Sequence, residues 1–535
     1  MLKDILFRSD GWAGRGLGLV LGAFAVLGQA PFNLWPIALA SLACLFARLD
    51  WASRAERPGK AGFSAALWWG LGYFSAGTFW IGSAFIERGP EFIPIMPFMV
   101  GGLALLLAIF WGLAGAFLAR AKVSGFRAVI GFTAAFLLAE LTRGHIFGGF
   151  PWNLPAYIFE AGSRPSQIAR WIGAYGLSAL VLFISAALGQ VLLSRKYLWP
   201  LAASIVPIIG LYGIGHIRLS GADLTYHQDI NLRIVSVPFK QSQMMTPDSA
   251  IEVTNDFIRA SIQPGIKDVT HLVWPEGAVR GFRGPAMEDP DLLTAVGSLL
   301  ANGDDTPPVW LMNSLQTELD QTRRRYYNAS VAIEFDAYGV AVNSVSNRKR
   351  KLVAFGEHVP FMDWFEDVQF PLISTNLASI SPAKEKGLAE FPGLPRLSPQ
   401  LCYEVVFPGL TPRGPEKPAE FILNQSNDAW FGRSAGPAQH ANTAAYRAIE
   451  TGLPIIRAAS NGISGQIDSY GRIQDKVVNS DINHIDVKLL KPLKFNDNIR
   501  AVNFLLLLIN LSICAILTLI RGQRVGSRNL IKTIK

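Results

Sequence analysis

Three residues of this 535-residue chain have the chemistry and order needed to transfer an acyl group: Glu276, Lys349 and Cys402. Transfer through a cysteine needs a thiolate, a base that takes the thiol proton, and a cation or donor that stabilises the oxyanion. Each residue stands in a short stretch that we interpret as lying just past a β-strand, which places its side chain at a strand end. The sequence therefore predicts a catalytic cysteine, carboxylate and lysine.

Each residue also has an ordinary structural interpretation when it is considered alone. A buried cysteine often only fills space, a lysine in a basic run usually faces solvent, and a glutamate after Trp-Pro can begin a helix. Cys402 is the only cysteine of the polar part of the chain, because Cys44 and Cys514 lie in long apolar runs. This isolation excludes a disulfide or a cysteine zinc site within its domain and leaves a free thiol.

The composition predicts a membrane part beside the polar part. Half of the residues are hydrophobic and the mean hydropathy is +0.27, so a fully soluble protein is excluded. Apolar runs long enough for membrane-spanning helices, some with their flanking residues, occur at 16–30, 34–47, 61–85, 92–118, 128–139, 171–193, 197–217 and 501–520. We predict about eight spans, seven before the polar part and one after it.

The net charge of +9 follows the predicted membrane topology. The segments 1–15, 47–60, 119–127, 194–196 and 521–535 contain 17 Lys/Arg and 4 Asp/Glu, so the rest of the chain is net acidic. There is accordingly no basic domain for nucleic acid. The positive-inside rule places these segments and both termini in the cytoplasm, and the polar part on the outer side.

The polar part alternates short β-type runs with helical segments, which predicts an α/β domain inserted into a helical membrane bundle. The predicted strands are 232–237, 271–274, 309–312, 329–334, 397–401, 421–424, 454–458 and 463–468, and the predicted helices are 247–262, 291–300 and 437–452. The predicted domains are a membrane domain at 1–217, the α/β domain at 218–499, and a last span with a basic tail at 500–535.

Motifs around the three residues resemble the nitrilase superfamily, and more closely its membrane-bound branch, the apolipoprotein N-acyltransferases. The matching stretches are Trp274-Pro275-Glu276, Tyr327-Asn328, Lys349 with Phe355-Gly356-Glu357, Cys402-Tyr403-Glu404, and Ser426-Asn427-Asp428-Ala429-Trp430-Phe431-Gly432. The last run is long and specific. The resemblance implies an α-β-β-α sandwich for the α/β domain.

The resemblance also implies a role for each site residue. Glu276 is the implied general base, Lys349 the oxyanion-stabilising cation and Cys402 the nucleophile. Glu357 is the implied additional active-site carboxylate, and Tyr403 and Glu404 are implied supporting neighbours of the cysteine.

The implied reaction is a ping-pong transfer in the bacterial inner membrane, with the catalytic domain facing the periplasm. A membrane phospholipid donates the acyl chain, and the acceptor is the N-terminal α-amine of the diacylglyceryl-cysteine of an apolipoprotein. This is the last step of lipoprotein maturation. No cofactor or metal is implied, because the seven histidines show no ligand spacing. We expect a membrane-integral monomer.

Two positions depart from the family pattern and bear on the substrate pocket. Met245 stands where a tryptophan is expected, and Ala354 where a proline is expected. Segments 280–290 and 361–383 are long and rich in proline, glycine and aromatic residues, which is typical of active-site lids.

Three other functions fit part of the pattern. A membrane-anchored amidase or nitrile hydrolase would use water in place of the amine, and a non-catalytic relative would keep the fold with an altered pocket. A Cys-His protease would use His358 or His440, but this alternative gives no role to Glu276 and Lys349.

Overall fold

The computed structural model describes residues 11–193, 198–279, 285–301, 307–320, 323–353, 356–357, 380–384, 386–412, 418–478 and 482–493. These residues divide into two compact units. The first contains described residues of 11–82 and 91–221, and the second those of 83–90 and 222–493. The predicted span at 501–520 lies outside the described residues, and the domain boundaries drawn from the sequence stay a prediction.

The described part of the first unit is built from long helices. They are α1 Gly11–Ala25, α2 Trp35–Ala52, α3 Pro58–Thr78, then a short α4 Gly82–Arg88 at the boundary with the second unit, α5 Met96–Ala121, α6 Gly125–Arg143, α7 Ala169–Leu193 and α8 Leu198–Ser220. Each of the seven apolar runs predicted before the polar part coincides with one of the long helices. Among the described residues, six helical stretches are long and apolar enough to cross a membrane: Gly11–Gly28, Trp35–Ala52, Pro90–Ala121, Gly125–Arg143, Pro165–Leu193 and Leu198–Ser220.

Helix α3 is absent from these six although its 21 residues match the thickness of a bilayer core. It contains five glycines, which lower its hydropathy. Glycine is needed where neighbouring backbones almost touch: a Cβ at Gly72 would lie 1.9 Å from the carbonyl oxygen of Leu19 in α1, and a Cβ at Gly62 would lie 2.4 Å from that of Gly115 in α5. Close packing of small residues thus joins α3 to a helix on each side.

A buried ion pair lies near the end of α6. The Arg143 guanidinium donates to both carboxylate oxygens of Glu140, at 2.8 and 2.5 Å, and to the carbonyl oxygen of Phe150 at 2.6 Å. The indole of Trp111 donates to the same carboxylate at 2.7 Å. Because each charge is paired and hydrogen-bonded, both residues can be buried in an otherwise apolar helix.

The described residues of the second unit form two β-sheets. The strands are β1 Tyr226–Ser236, β2 His271–Val273, β3 Val309–Asp320, β4 Arg323–Phe335, β5 Ala341–Arg348, β6 Leu397–Leu401, β7 Phe421–Asn427, β8 Ile455–Ser460, β9 Ile463–Ile467, β10 Ile473–Val478 and β11 Asn483–Leu490. One sheet has the order β11-β1-β2-β3-β4-β5, and the other has the order β10-β9-β8-β7-β6. All eight predicted strands are present, whereas β5, β10 and β11 were not predicted.

The two sheets pack face to face with helices outside them. Leu232 of β1 and Leu311 of β3 share a buried core with Phe421 of β7 and Ile456 of β8. Helices α9 Pro247–Ser261 and α10 Pro290–Leu300 cover the outer face of the first sheet through a second core, and α11 Gly436–Thr451 packs on β8 and β9. The domain is therefore an α-β-β-α sandwich, and the predicted fold class is confirmed.

The glycine contacts of α3 make a testable prediction about the first unit. Gly72→Ala should lower the thermal unfolding midpoint of the detergent-solubilised protein by several degrees, because α1 and α3 must separate at a cost of about 1–3 kcal/mol. The matched control is Gly102→Ala in α5, where an added Cβ meets nothing within 4 Å. Equal midpoints for the two variants would contradict the proposed close packing.

Candidate active site

Strand ends bring the candidate residues together from both sheets. Glu276 follows β2, Lys349 comes directly after β5, and Cys402 comes directly after β6. Gln425 of β7 links the sheets at this point, because its amide donates to the carbonyl oxygen of Trp274 at 2.8 Å and accepts from the Ser330 hydroxyl of β4 at 2.6 Å. The position of Cys402 relative to the other two residues therefore depends on the packing of one sheet on the other.

Lys349 is a buried cation held between two carboxylates. Its side chain is 1% exposed, and Nζ lies 2.7 Å from Oε1 of Glu357 and 3.6 Å from Oε1 of Glu276. Burial alone would lower the pKa of Lys349, but the two carboxylates outweigh burial and hold that pKa above its ordinary value. Lys349 therefore stays charged over the physiological pH range.

The Glu276 carboxylate is fixed through both of its oxygens. Oε1 accepts from Nδ2 of Asn328 at 2.7 Å, and Oε2 accepts from the backbone N–H of Asn427 at 3.3 Å. Asn328 is itself held by Asn313, whose amide donates to Asn328 Oδ1 at 2.5 Å. Glu276 is buried, so these bonds set the direction in which it can accept a proton.

Glu357 and Gln241 extend this hydrogen-bonded network. Oε2 of Glu357 accepts from the backbone N–H of Val353 at 2.9 Å, which leaves Oε1 for Lys349. On the other side, Oε1 of Gln241 accepts from Nδ2 of Asn427 at 2.8 Å, and the N–H of Gln241 donates to Glu87 at 3.0 Å. Glu87 belongs to Ser83–Pro90, which lies between α3 and α5 in sequence and belongs to the second unit.

Cys402 has an unusual backbone conformation and an unreactive resting thiol. Its φ of +48° lies in the left-handed region, which is uncommon for a residue with a side chain. Burial raises the pKa of the Cys402 thiol, and the negative charge of Glu276 raises it further, while Lys349 acts in the opposite direction. The net effect is a protonated thiol, so attack on a substrate requires a base that takes its proton.

Glu404 connects the turn that carries the cysteine to the chain that follows β5. Its buried carboxylate accepts three backbone N–H groups, those of Leu401 at 2.9 Å, Arg350 at 2.8 Å and Lys351 at 3.0 Å. Tyr403 is also buried, and its ring packs edge-on against Phe407 at 5.1 Å. Both residues therefore support the turn around the candidate nucleophile.

The structure thus gathers Glu276, Lys349, Glu357 and Cys402 in one place, with Tyr403 and Glu404 beside them. Sequence reasoning gave no individual role to Asn328, Ser426, Asp428 and Gln241, because the first three appeared only inside matching motifs. Of the two departing positions, Ala354 and the side chain of Met245 lie outside the described residues. The same holds for 280–284 and 361–379 of the suggested lids.

The geometry also bears on two other kinds of site, a metal site and a Cys-His protease. In the described part of the chain, no three His, Cys, Asp or Glu residues are grouped as a metal site. His440, a candidate base of a Cys-His protease, has Nε2 3.2 Å from the carbonyl oxygen of Cys402. Its ring thus contacts the backbone of the cysteine, which favours Glu276 as the base.

Comparisons with known proteins agree with this geometry. Residues 273–473 match the carbon-nitrogen hydrolase family model, so the sandwich and its site define a carbon-nitrogen hydrolase domain. Residues 21–187 match the model of the apolipoprotein N-acyltransferase N-terminal domain. A solved amidase from Nesterenkonia sp. matches 53% of this chain and 97% of its own at 15% identity, with a TM-score of 0.32, too low to support an argument.

Curated relatives identify the family. The apolipoprotein N-acyltransferase of Caulobacter vibrioides is 35% identical over 482 residues, which cover 88% of each chain. That of Rhodopseudomonas palustris is 31% identical, over 86% of this chain and 87% of its own. This chain belongs to the apolipoprotein N-acyltransferase family and is a membrane-integral acyltransferase.

The charges around Cys402 predict how its reactivity depends on pH. Glu276→Gln removes a negative charge that raises the pKa of the thiol, so the pH midpoint of alkylation should fall by about one unit. Lys349→Met removes the opposing positive charge and should raise the midpoint. The rate of Cys402 modification by iodoacetamide, read by mass spectrometry over a pH series, measures both.

The matched control is Glu390→Gln, an exposed carboxylate that pairs with Arg396. It should leave the midpoint unchanged. A rise in Glu276→Gln, or a fall in Lys349→Met, would show that these two charges do not govern the thiol.

Proposed function

We propose that this chain moves a fatty acyl chain from a membrane phospholipid, through a thioester on Cys402, to the N-terminal α-amine of the diacylglyceryl-cysteine of an apolipoprotein. The observation that supports this most directly is the buried cation Lys349 between Glu276 and Glu357, beside a strained cysteine. The family of the chain and its membrane helices support lipid-bound substrates. Such a transfer would be the last step of lipoprotein maturation.

In the first half of the proposed reaction, Cys402 Sγ attacks the ester carbonyl carbon of the phospholipid. Glu276 takes the thiol proton, and the carbonyl oxygen becomes an oxyanion. An ammonium group has three protons. Lys349 donates one to Glu357 at 2.7 Å and is only ion-paired with Glu276 at 3.6 Å, so a proton remains for the oxyanion. The carbon–oxygen ester bond then breaks, and the leaving oxygen takes the proton from Glu276 to give a lysophospholipid.

In the second half, the α-amine of the acceptor attacks the thioester carbonyl carbon. An α-amine with a pKa near 8 is partly neutral at working pH, so the nearby carboxylate of Glu276 suffices to take the proton released on attack. The carbon–sulfur bond breaks, the amide leaves, and the proton returns to Cys402 Sγ. An amine in place of water is what separates this proposal from an amidase on a membrane anchor.

The surrounding residues support the two steps by fixing charges in place. Glu357 keeps Lys349 charged and oriented, and Glu404 holds the turn of Cys402 against the chain after the lysine. All of these groups come from one chain, which supports a monomer as the working unit. We place the catalytic domain on the periplasmic side, because the basic segments lie on the opposite side of the predicted spans.

The proposed intermediate can be detected directly. Incubation with phospholipid alone should increase the mass of the Cys402 peptide by one acyl chain, because without an amine the enzyme stops as the thioester. Glu276→Gln and Cys402→Ala should show no such increase. Mass spectrometry of the digested protein measures the modification.

The second free cysteine of the described region provides the internal control. Cys44 is also a free thiol, and its peptide should stay unmodified in the same digest. Addition of a lipopeptide with a free N-terminal α-amine should discharge the thioester and acylate the peptide. An unmodified Cys402 in protein that still acylates the lipopeptide would overturn the proposed route.

The proposed orientation predicts which surface residues a membrane-impermeant maleimide can reach. A cysteine in place of Tyr338, which is 85% exposed in the turn between β4 and β5, should be labelled in spheroplasts. A cysteine in place of Arg54, which is 69% exposed between α2 and α3, should be labelled only after lysis. Peptide mass mapping separates these labels from the native cysteines, and the reverse pattern would invert the orientation.

A further inference from the structure

Two residues near Cys402 are not used by the proposed mechanism, His440 and Ser426. The ring of His440, on α11, places Nε2 3.2 Å from the carbonyl oxygen of the cysteine. The hydroxyl of Ser426, on β7, acts on the side chain of the same residue and lowers the pKa of its thiol. One partner thus contacts the backbone of the nucleophile and the other acts on its sulfur.

Both partners rest on one buried carboxylate. Oδ1 of Asp428 lies 3.0 Å from Nδ1 of His440 and accepts from the hydroxyl of Ser426 at 2.7 Å. These contacts bring His440, which lies against the Cys402 carbonyl, and Ser426, which acts on the thiol, to the same carboxylate. We call Ser426, Asp428, His440 and Arg457 the clamp.

Arg457 fixes the carboxylate at the centre of the clamp. Its guanidinium donates to Asp428 Oδ2 at 2.7 Å and to the Ile463 carbonyl at 3.1 Å, and its Nη2 lies 3.3 Å from Nδ1 of His440. Burial would raise the pKa of Asp428, but Arg457 and His440 hold it below its ordinary value, so the carboxylate stays charged. All four side chains are buried, and such an arrangement persists only when its charges are paired.

The atoms in contact show which proton His440 must carry. Its Nε2 faces the Cys402 carbonyl oxygen, which can only accept, so Nε2 carries a hydrogen and donates it. Burial lowers the pKa of His440, so the ring is neutral, and its Nδ1 accepts from Nη2 of Arg457. This bond restrains the carbonyl of a residue whose φ of +48° costs conformational energy. Strain of this kind persists where surrounding contacts determine the conformation, and His440 supplies such a contact.

We propose that Ser426 and His440 are positioning residues for Cys402, and that the Asp428–Arg457 ion pair holds both of them in place. His440 keeps the left-handed backbone that points the thiol toward the substrate. Ser426 donates its one proton to Asp428 while the thiol is intact, and turns it to the thiolate once Glu276 has taken the thiol proton. This inference rests on the proposed role of Cys402 as nucleophile.

The Ser426 hydroxyl of the clamp favours the thiolate of Cys402 in addition to Lys349. The charged groups that act on the thiol are Glu276 after β2, Lys349 after β5 and Asp428 after β7. Two of these three are negative and raise the pKa of Cys402, whereas the Ser426 hydroxyl lowers it. Loss of this hydroxyl should therefore make the thiol harder to ionise.

The mildest test is Ser426→Ala, which removes one hydroxyl and adds no atom. The pH midpoint for alkylation of Cys402 by iodoacetamide should rise by about one unit, and thioester formation from phospholipid should slow about tenfold or more. The thermal midpoint should change little. Unchanged alkylation and unchanged acylation in Ser426→Ala would overturn the role of the hydroxyl.

His440 is tested with two variants that differ in whether the new side chain can donate a hydrogen bond. Glutamine can still donate to the Cys402 carbonyl, whereas leucine fills the space without a donor. His440→Leu should form the thioester about a hundredfold more slowly per folded molecule, because a misplaced nucleophile loses its attack geometry. His440→Gln should form the thioester at least tenfold faster than His440→Leu. Equal rates in the two variants would overturn the positioning role.

A second histidine of the same domain provides the matched control. His271 is buried on β2, and its Nε2 lies 2.9 Å from the carbonyl oxygen of Pro392. His271→Leu thus loses a similar histidine-to-carbonyl bond away from the cysteine, and should lower the thermal midpoint without changing acylation per folded molecule. An equal loss of acylation in His271→Leu and His440→Leu would show that both losses come from lowered stability, and would overturn the proposal.

The alkylation assay tests the clamp independently of the proposed function. Iodoacetamide reacts with Cys402 whatever the natural substrate is, so the midpoint shift in Ser426→Ala can be measured even if the wild-type protein forms no thioester. If the wild-type protein forms no thioester but Ser426→Ala shifts the alkylation midpoint, the proposed function is overturned and the clamp is supported. If the wild-type protein forms the thioester but Ser426→Ala shifts nothing, the clamp is overturned and the proposed function is supported.

Discussion

The buried charge of Lys349 is the interaction on which the rest of the site depends. A lysine that is almost fully removed from water keeps its proton only beside negative charge, and Glu357 and Glu276 supply it. Two carboxylates around one ammonium leave an excess of negative charge beside Cys402. Burial and the charge of Glu276 keep the thiol protonated at rest in spite of Lys349, so the cysteine does not react before a base takes its proton.

The excess charge also explains why so many neutral donors surround the carboxylates. Glu276 receives the Asn328 amide and a backbone N–H, Glu357 receives the backbone N–H of Val353, and Glu404 receives three backbone N–H groups. Such donors offset desolvation without adding formal charge. The protein can therefore concentrate carboxylates near the reacting sulfur and still keep each of them in a fixed orientation.

The sequence predicted those strands whose burial requires a run of apolar residues, and it missed strands that are partly exposed and lack such a run. Every predicted strand has buried apolar residues and is present. The three strands that were missed, β5, β10 and β11, are all edges of their sheets. Several of their side chains are exposed and polar, as in Ala341–Arg348 and Ile473–Val478, so no apolar run reveals them. Edge strands must therefore be located from their partners.

The residues of the candidate site also fall into those that the sequence predicted and those that it did not. Glu276 and Cys402 could be predicted because they stand just past predicted strands, whereas Lys349 follows the missed strand β5 and was recognised from its place in the order of the motifs. Asn328 was given no role and His440 only that of a protease base, because their contacts join residues far apart in sequence, 52 positions for Asn328 and 38 for His440. Only the packing of the two sheets makes such pairs visible.

The glycine-rich helix α3 has a consequence for counting membrane crossings. Because neighbouring backbones cover its Gly72 and Gly62 faces, this helix does not need the lipid-facing residues that a hydropathy scan detects. A scan that omits it finds an even number of crossings before the α/β domain instead of an odd number. The parity decides on which side of a membrane the next domain emerges. A few glycines at a helix contact could therefore reverse the inferred compartment of the whole catalytic domain.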